Sequence, residues 1–334
     1  MTRPGFGEKA PTPGEPSRLM SVRGRLFCHC WLQNGCRSDN LADSHRVVVG
    51  SFLSKNDEVD DVHTTGLRLG IGLWVLGAVC GLGAMASAQE KGLLYAHRGG
   101  AHEFEENTME GFRGCYEQGL RGFETDIRMT KDGELVILHD DSLDRTHNAT
   151  GPVEHKTAAE LREVTTKKGQ SFLFLDELLA YLEDKPGIYL ELEMKTSNKQ
   201  LYPDDRLPEY CRKLHEAVQK RQPKGSLYYF TSFDERPLRI VKDLDSKANL
   251  LLITGGPCNA EIVKRAKELG ANRIGCRMEG TTRAAVREAQ KAGLAVNGWP
   301  GHSIQDYHLA VGLGCDAICS DIPLAVQAFR RKSE

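Results

Sequence analysis

From Leu93 to the C-terminus, short apolar runs alternate with amphipathic stretches of helical length, and that alternation confines the chain to parallel βα units. Eight runs have the length and content of buried strands: 93–97, 122–128, 188–194, 226–231, 249–253, 272–276, 294–298 and 316–320. Gly119, Gly270 and Gly293 close helical stretches between them. Asn107-Thr108-Met109-Glu110 opens the first helix, with Asn107 as cap and an acid three residues on. A ninth run, 134–138, follows the tight turn Thr130-Lys131-Asp132-Gly133. So short a connection cannot make a parallel crossover, and the run must fold back as a short β-hairpin extension after strand two. Eight parallel strands over about 230 residues predict an α/β fold, the (β/α)8 TIM barrel, with its site at the C-terminal ends of the strands.

The barrel is expected to occupy residues 89–334. Before it, residues 69–89 carry no charge, follow Arg68, and contain the small-x-small pattern Ala86-Ser87-Ala88 that signal peptidases cut. Residues 67–88 are therefore expected to be a signal peptide, and the protein to be exported to the periplasm or extracellular space. The competing reading is a retained anchor, with membrane contact only through residues 69–88. Residues 1–66 show no sustained periodicity and are rich in Pro, Gly, Ser and Asp. They read as disordered, or as a mis-annotated upstream segment with initiation near Val62 or Leu67. Cys28, Cys30 and Cys36 lack the His/Cys partners of a finger. The six cysteines after Gln89 are irregularly spaced and are expected as buried free thiols. A net charge of -2 offers no polybasic signature, so nucleic acid is not an expected partner.

Strand two carries the first chemistry. In Phe123-Glu124-Thr125-Asp126-Ile127 alternation puts the two acids on one face and Phe123 and Ile127 on the other. The apolar face meets the helices, so Glu124 and Asp126 point into the barrel. The run 188–194 repeats the pattern, with Tyr189, Glu191, Glu193 and Lys195 inward. Four acids near one axis repel strongly unless cations lie between them. One divalent cation, Mg²⁺ or Ca²⁺, held by oxygen ligands answers that; the competing arrangement is a salt-bridge layer with Arg98, Arg128 and Lys195. His97 ends strand one and His139 ends the returning run. Two imidazoles at that rim suit the base and acid of phosphodiester cleavage, with Arg98 and Lys195 neutralising phosphoryl charge.

These motifs, HRG at 97–99, EENT at 105–108, ETD at 124–126, TKDG at 130–133, HD at 139–140 and ELEMK at 191–195, resemble the glycerophosphodiester phosphodiesterase family in its order HRG, PENT, E-x-D, T-x-DG, HD and E-x-K. The resemblance covers about 90–334 and implies the barrel, a divalent cation and a small-molecule glycerophosphodiester substrate, cut to glycerol 3-phosphate and an alcohol. It implies His97 and His139 as the catalytic pair and Glu124, Asp126 and Glu193 as metal ligands. Arg98 and Lys195 become phosphate contacts, and Glu106 a support for Arg98 or the metal shell. Phe233 and Trp299 match the family's pocket positions after strands four and seven. Asp321-Ile322-Pro323 resembles its terminal TD-x-P.

Departures stand out beside the matches. Glu105 replaces the proline of PENT, and Glu191 stands where a small polar residue is usual. Trp-Pro-Gly-His at 299–302 replaces Trp-Thr-Val-Asn at a rim that shapes the alcohol side. Thr196 to Arg206 is too short for a helical lid, although Leu201, Tyr202 and Pro203 offer one apolar wall. Phospholipase D or sphingomyelinase D-like action on choline lipids, and a non-catalytic binding barrel, are the alternatives.

Overall fold

A computed structural model describes residues 92–333; the expected signal segment 67–88 and everything else upstream of residue 92 lie outside the described residues. In chain order the elements are β1 (Leu93–Ala96), α1 (Met109–Glu117), β2 (Gly122–Met129), β3 (Leu135–Ile137), α2 (Ala158–Arg162), α3 (Leu175–Leu182), β4 (Tyr189–Met194), α4 (Leu207–Arg221), β5 (Leu227–Ser232), α5 (Glu235–Leu244), β6 (Leu250–Pro257), α6 (Ala260–Glu268), β7 (Arg273–Arg277), α7 (Arg283–Lys291), β8 (Ala295–Trp299), α8 (Ile304–Leu313), β9 (Ala317–Ser320) and α9 (Pro323–Ser333). β1, β2 and β4 to β9 run parallel, and β1 pairs with both β9 and β2, so the sheet closes into the expected (β/α)8 barrel. β3 lies antiparallel on β2 with Ile137 opposite Ile127, which is the expected hairpin. Among the described residues no helix is long and apolar enough to cross a membrane.

Alternation along each strand divides the apolar side chains between two cores. Leu190, Leu192 and Met194 of β4 turn outward and are buried in one cluster with Leu178, Leu214 and Val218 of the surrounding helices. Each such leucine contributes roughly 1.5–3 kcal/mol through burial. Inside the barrel Tyr95, Tyr189, Tyr229, Leu251 and Cys319 form a second cluster. Arg273 is buried there, 5.3 and 5.1 Å from the ring centres of Tyr189 and Tyr229, and donates to Asn297 Oδ1 at 2.5 Å. The floor is therefore packed and hydrogen-bonded.

At the C-terminal end, capping side chains stop the loops and start the helices. Thr108, Asp234, Asn259, Thr282 and Ser303 each accept from a backbone N–H in the first turn of α1, α5, α6, α7 and α8. Such caps stabilise by about 1 kcal/mol apiece. At α1 the cap is Thr108 rather than Asn107. Asn107 sits at φ +55°, where an asparagine is tolerated, and its side chain is used elsewhere.

The hairpin is only the start of a larger excursion. Between β3 and α3 the chain makes two 3₁₀ turns and α2, and buries its own core of Val136, Leu138, Leu143, Val153, Leu161, Phe172 and Phe174. All six cysteines of the described residues are buried and free, as expected.

Candidate active site

Register places the acids. Glu124 lies beside Glu191 and Asp126 beside Glu193 across the parallel pair of β2 and β4. All four carboxylates are buried, and their surroundings separate them. Glu191 accepts from the Tyr189 hydroxyl and, at 2.5 Å, from Asn297 Nδ2, and burial pushes its carboxyl up to about 7. That ties it to the floor. Glu124, Asp126 and Glu193 remain, each with an oxygen within 4.8 Å of the others.

The cations nearby do not balance these three. Lys195 Nζ is 2.7 Å from Glu193 and 3.5 Å from Asp126, and Arg98 Nε is 3.6 Å from Asp126. Arg128, the third member of the competing salt-bridge layer, points away. Its guanidinium donates to Glu154 at 2.9 Å, to Asp141 at 2.5 Å, and to the carbonyls of Leu138 (3.1 Å) and His139 (3.0 Å). It joins the excursion to the barrel and seats the backbone of His139. Two buried oxygens, Glu124 Oε1 and Asp126 Oδ1, consequently make no hydrogen bond. Burial, with Asp126 and Glu193 close by, drives the Glu124 carboxyl well above its usual range. Burial works the same way on Asp126, but Lys195, His139 and Arg98 outweigh it and hold that carboxyl low. Oxygens converging from three carboxylates, two of them without a hydrogen bond, fit a divalent cation, and this cluster can hold one.

The histidine of strand one is aimed by the turn that follows it. His97, Arg98 and Gly99 make one 3₁₀ turn, with φ of +50° at Arg98, +75° at Gly99 and +94° at Gly100. Left-handed backbone of this kind is easy for glycine and costly for arginine. The Arg98 N–H, donating to Glu124 Oε2 at 2.9 Å, helps to hold it. His97 Nδ1 then lies 2.5 Å from Asp321 Oδ1, while Nε2 faces Glu124 Oε2 at 3.9 Å. Burial opposes the Asp321 charge, but hydrogen bonds from His97 and His302 hold its carboxyl at about 2.

His139 is oriented in a parallel way. Its Nδ1 is 2.8 Å from Asp140 Oδ1, and Asp140 also accepts from Arg145 Nε at 2.6 Å. Arg145 reaches on to both oxygens of Glu106 at 2.7 Å, and Glu106 accepts from Arg98 Nη1 at 3.2 Å. Arg98 and His139 are thus the two ends of one chain of charged hydrogen bonds.

His97, Arg98, Glu124, His139, Glu193, Phe233 and Trp299 line one pocket of about 290 Å³. Phe233 and Trp299 meet edge to face at 5.8 Å, and the Trp299 Nε1 donor has no partner. Asp126 lies fully buried beneath. Lys195 lines an adjoining pocket that shares His139, Glu193 and Phe233. Glu106 lines neither pocket and is bonded to Arg98. The apolar wall expected from Leu201 and Tyr202 is not at the pocket. Both are buried in the outer core, where the Met129 N–H donates to the Tyr202 hydroxyl at 2.8 Å.

Three residues complete the arrangement in roles that the sequence did not assign to them. Asn107 donates to Asp126 Oδ2 at 2.8 Å and accepts from the Thr125 hydroxyl at 3.1 Å. Arg128 and Arg145 are the others. Asn107 was visible inside the EENT motif and Arg128 by its alternation on strand two, whereas Arg145 sits on no motif and gave no signal.

Such a site can bind a phosphodiester beside a cation, with an oriented imidazole available on two sides. The model of the glycerophosphoryl diester phosphodiesterase family matches residues 97–325. A glycerophosphodiester phosphodiesterase of Caldanaerobacter subterraneus is 29% identical over 253 residues, 72% of this chain and 99% of that protein. The YqiK protein of Bacillus subtilis is 34% identical over 110 residues, 31% of this chain and 45% of its own length. Among solved structures, an Oleispira antarctica phosphodiesterase in complex with the product sn-glycerol-3-phosphate superposes with a TM-score of 0.65 at 22% identity, covering 71% of this chain and 96% of that one. The chain belongs to the glycerophosphoryl diester phosphodiesterase family and is an enzyme of that class.

Proposed function

We propose that this enzyme hydrolyses glycerophosphodiesters, the deacylated remains of glycerophospholipids, to glycerol 3-phosphate and an alcohol, using Mg²⁺ or Ca²⁺ at Glu124, Asp126 and Glu193. The carrying observation is the pair of orphaned carboxylate oxygens between two carboxylate-anchored histidines. When bound, the cation supplies charge to the phosphoryl oxygens and fixes their position.

The chain's own residues do the rest. Asp321 is ionised down to about pH 2 and accepts at Nδ1 of His97, so that nitrogen carries the ring proton. Nε2 keeps its lone pair, facing the acid cluster, and takes a proton from the water whose oxygen attacks phosphorus as the P–O bond to the alcohol breaks. His139 starts as the acid: Asp140 holds its Nδ1, and its other nitrogen gives a proton to the departing alkoxide. Asp140 is also neutralised by a permanent cation, Arg145, whereas the partners of Asp321 are imidazoles, and on that difference we assign base to His97 and acid to His139. Arg98 and Lys195 neutralise phosphoryl charge, while Phe233 and Trp299 form the apolar side of the pocket, with the Trp299 N–H available to a substrate oxygen. Export through residues 67–88 belongs to the same proposal and is supported by that segment's uncharged core and small-x-small end.

Glycerophosphocholine supplied with Mg²⁺ or Ca²⁺ tests the reading. Glycerol 3-phosphate and free choline are expected. Glycerol plus phosphocholine, or turnover only of choline lipids in vesicles, would overturn it.

A further inference from the structure

We propose that His102, His302 and Asp321 form a second metal site, for a cation of borderline softness such as Zn²⁺, whose occupancy slows the enzyme through the carboxylate shared with His97. Their side chains come from the loops after β1, β8 and β9, three neighbouring strands of the barrel. One donor atom from each lies within 4.8 Å of the other two. Asp321 Oδ1 is taken by His97, and Oδ2 faces both remaining imidazoles: His302 Nδ1 in contact and His102 Nε2 at 3.8 Å.

A hydrogen-bonded cluster explains part of this and fails at His102. At 3.8 Å its nitrogen is too far from Oδ2 for a hydrogen bond. Its ring nevertheless stacks beside that of His302, with centres 5.4 Å apart and planes at 24°. Two ligands each about 2.0–2.1 Å from a tetrahedral Zn²⁺ stand roughly 3.3 Å from one another, so His102 would move slightly closer to Oδ2 and His302 would draw back from its contact with it. Two imidazoles with one carboxylate suit such an ion, whereas the all-oxygen set below suits Mg²⁺ or Ca²⁺.

The backbone under the cluster is fixed. The His102 N–H donates to the Asp321 carbonyl at 3.0 Å, the Asp321 N–H to the Gly301 carbonyl at 2.9 Å, and the His302 N–H to Asp306 Oδ2 at 2.9 Å. A Cβ on Gly301 would stand 2.2 Å from the Cys319 carbonyl, so only glycine lets β8's exit pass this close to β9. Both histidine side chains are about half exposed and open to an arriving ion, while Asp321 is 3% exposed. His302 also lines the substrate pocket. A cation on Oδ2 draws charge away from Oδ1, and His97 loses the support that makes it a base.

Binding and inhibition are read separately, since only inhibition rests on the proposed hydrolytic activity. With Mg²⁺ or Ca²⁺ in excess at the carboxylate cluster, Co²⁺ is titrated into the protein as a spectroscopic stand-in for Zn²⁺. One further Co²⁺ per chain should bind, with the visible absorption of a four- or five-coordinate, nitrogen-ligated ion. His102→Ala should weaken that binding by at least about tenfold while leaving the melting temperature and the zinc-free turnover unchanged. His302→Ala should weaken it equally. Zn²⁺ should lower wild-type turnover several-fold and leave His102→Ala resistant. Equal Co²⁺ titrations in wild type and both variants, or no second Co²⁺ in wild type, would overturn the site. Binding without any slowing of a working enzyme would overturn its effect on His97.

Discussion

Asp321 holds His97 by a 2.5 Å contact to Nδ1, and this carboxylate, more than the histidine's place at the end of β1, decides which ring nitrogen can accept a proton. Asp321→Asn keeps the shape but removes the charge and permits the opposite tautomer. A fall in kcat of at least about 10²-fold is expected, with KM changed by less than about threefold. Steady-state kinetics on glycerophosphocholine measure both. An unchanged kcat would mean that His97 is not the base.

Arg145 joins Glu106 to Asp140, although about half of its side chain is exposed. Exposed ion pairs contribute roughly 0–1 kcal/mol to stability, so Arg145→Ala should shift the melting temperature little. Without it both Arg98 and the Asp140–His139 pair lose a fixed partner. kcat/KM should fall by about tenfold, or ~1.4 kcal/mol. A large drop in melting temperature with normal kinetics would make the residue purely structural.

Metal removal should change how stability depends on pH. Glu124 is raised above its ordinary 4.5 by burial and then by Asp126 and Glu193. Without a cation the folded protein keeps a proton there that the unfolded chain has released. That contribution is fully present below about pH 4.5 and is lost as pH rises through the folded pKa, with a slope approaching ~1.4 kcal/mol per pH unit for one proton. A divalent cation replaces the proton and should flatten the profile. Calorimetry at pH 5 to 8, with chelator and with Mg²⁺ or Ca²⁺, measures the difference. Glu191 titrates in the same direction, but its hydrogen bonds are to the floor, so it drops out of the comparison. Parallel profiles would place the cation elsewhere.

The barrel and the acid cluster were legible because both rest on period-two alternation, which survives in a single sequence. Glu124, Asp126 and Glu193 point inward for the same reason that Phe123, Ile127 and Leu192 point outward. What could not be read depends on contacts far apart in the chain. Arg128 alternates inward like the acids, yet it turns to Glu154 and the excursion after β3, whose fold no periodicity announced. Arg145 meets Glu106 across 39 residues, and Tyr202, expected at the pocket, is claimed by the outer core. Asn107 was misread as a cap because Asn and Thr are both good caps and stand side by side; the neighbouring Asp126 decided between them.

The most direct measurement is glycerol 3-phosphate release from glycerophosphocholine after exhaustive chelation, followed by titration with Mg²⁺ or Ca²⁺, for wild type and Asp126→Asn. Asp126 is fully buried under Lys195, Arg98 and Asn107, and its Oδ1 makes no hydrogen bond. Chelated wild type should be inactive and should recover fully with one ion per chain. Asp126→Asn should need a much higher metal concentration and stay at least about 10²-fold slower at any concentration reached. Full turnover by chelated wild type, or wild-type metal dependence in Asp126→Asn, would contradict metal-dependent cleavage at Glu124, Asp126 and Glu193.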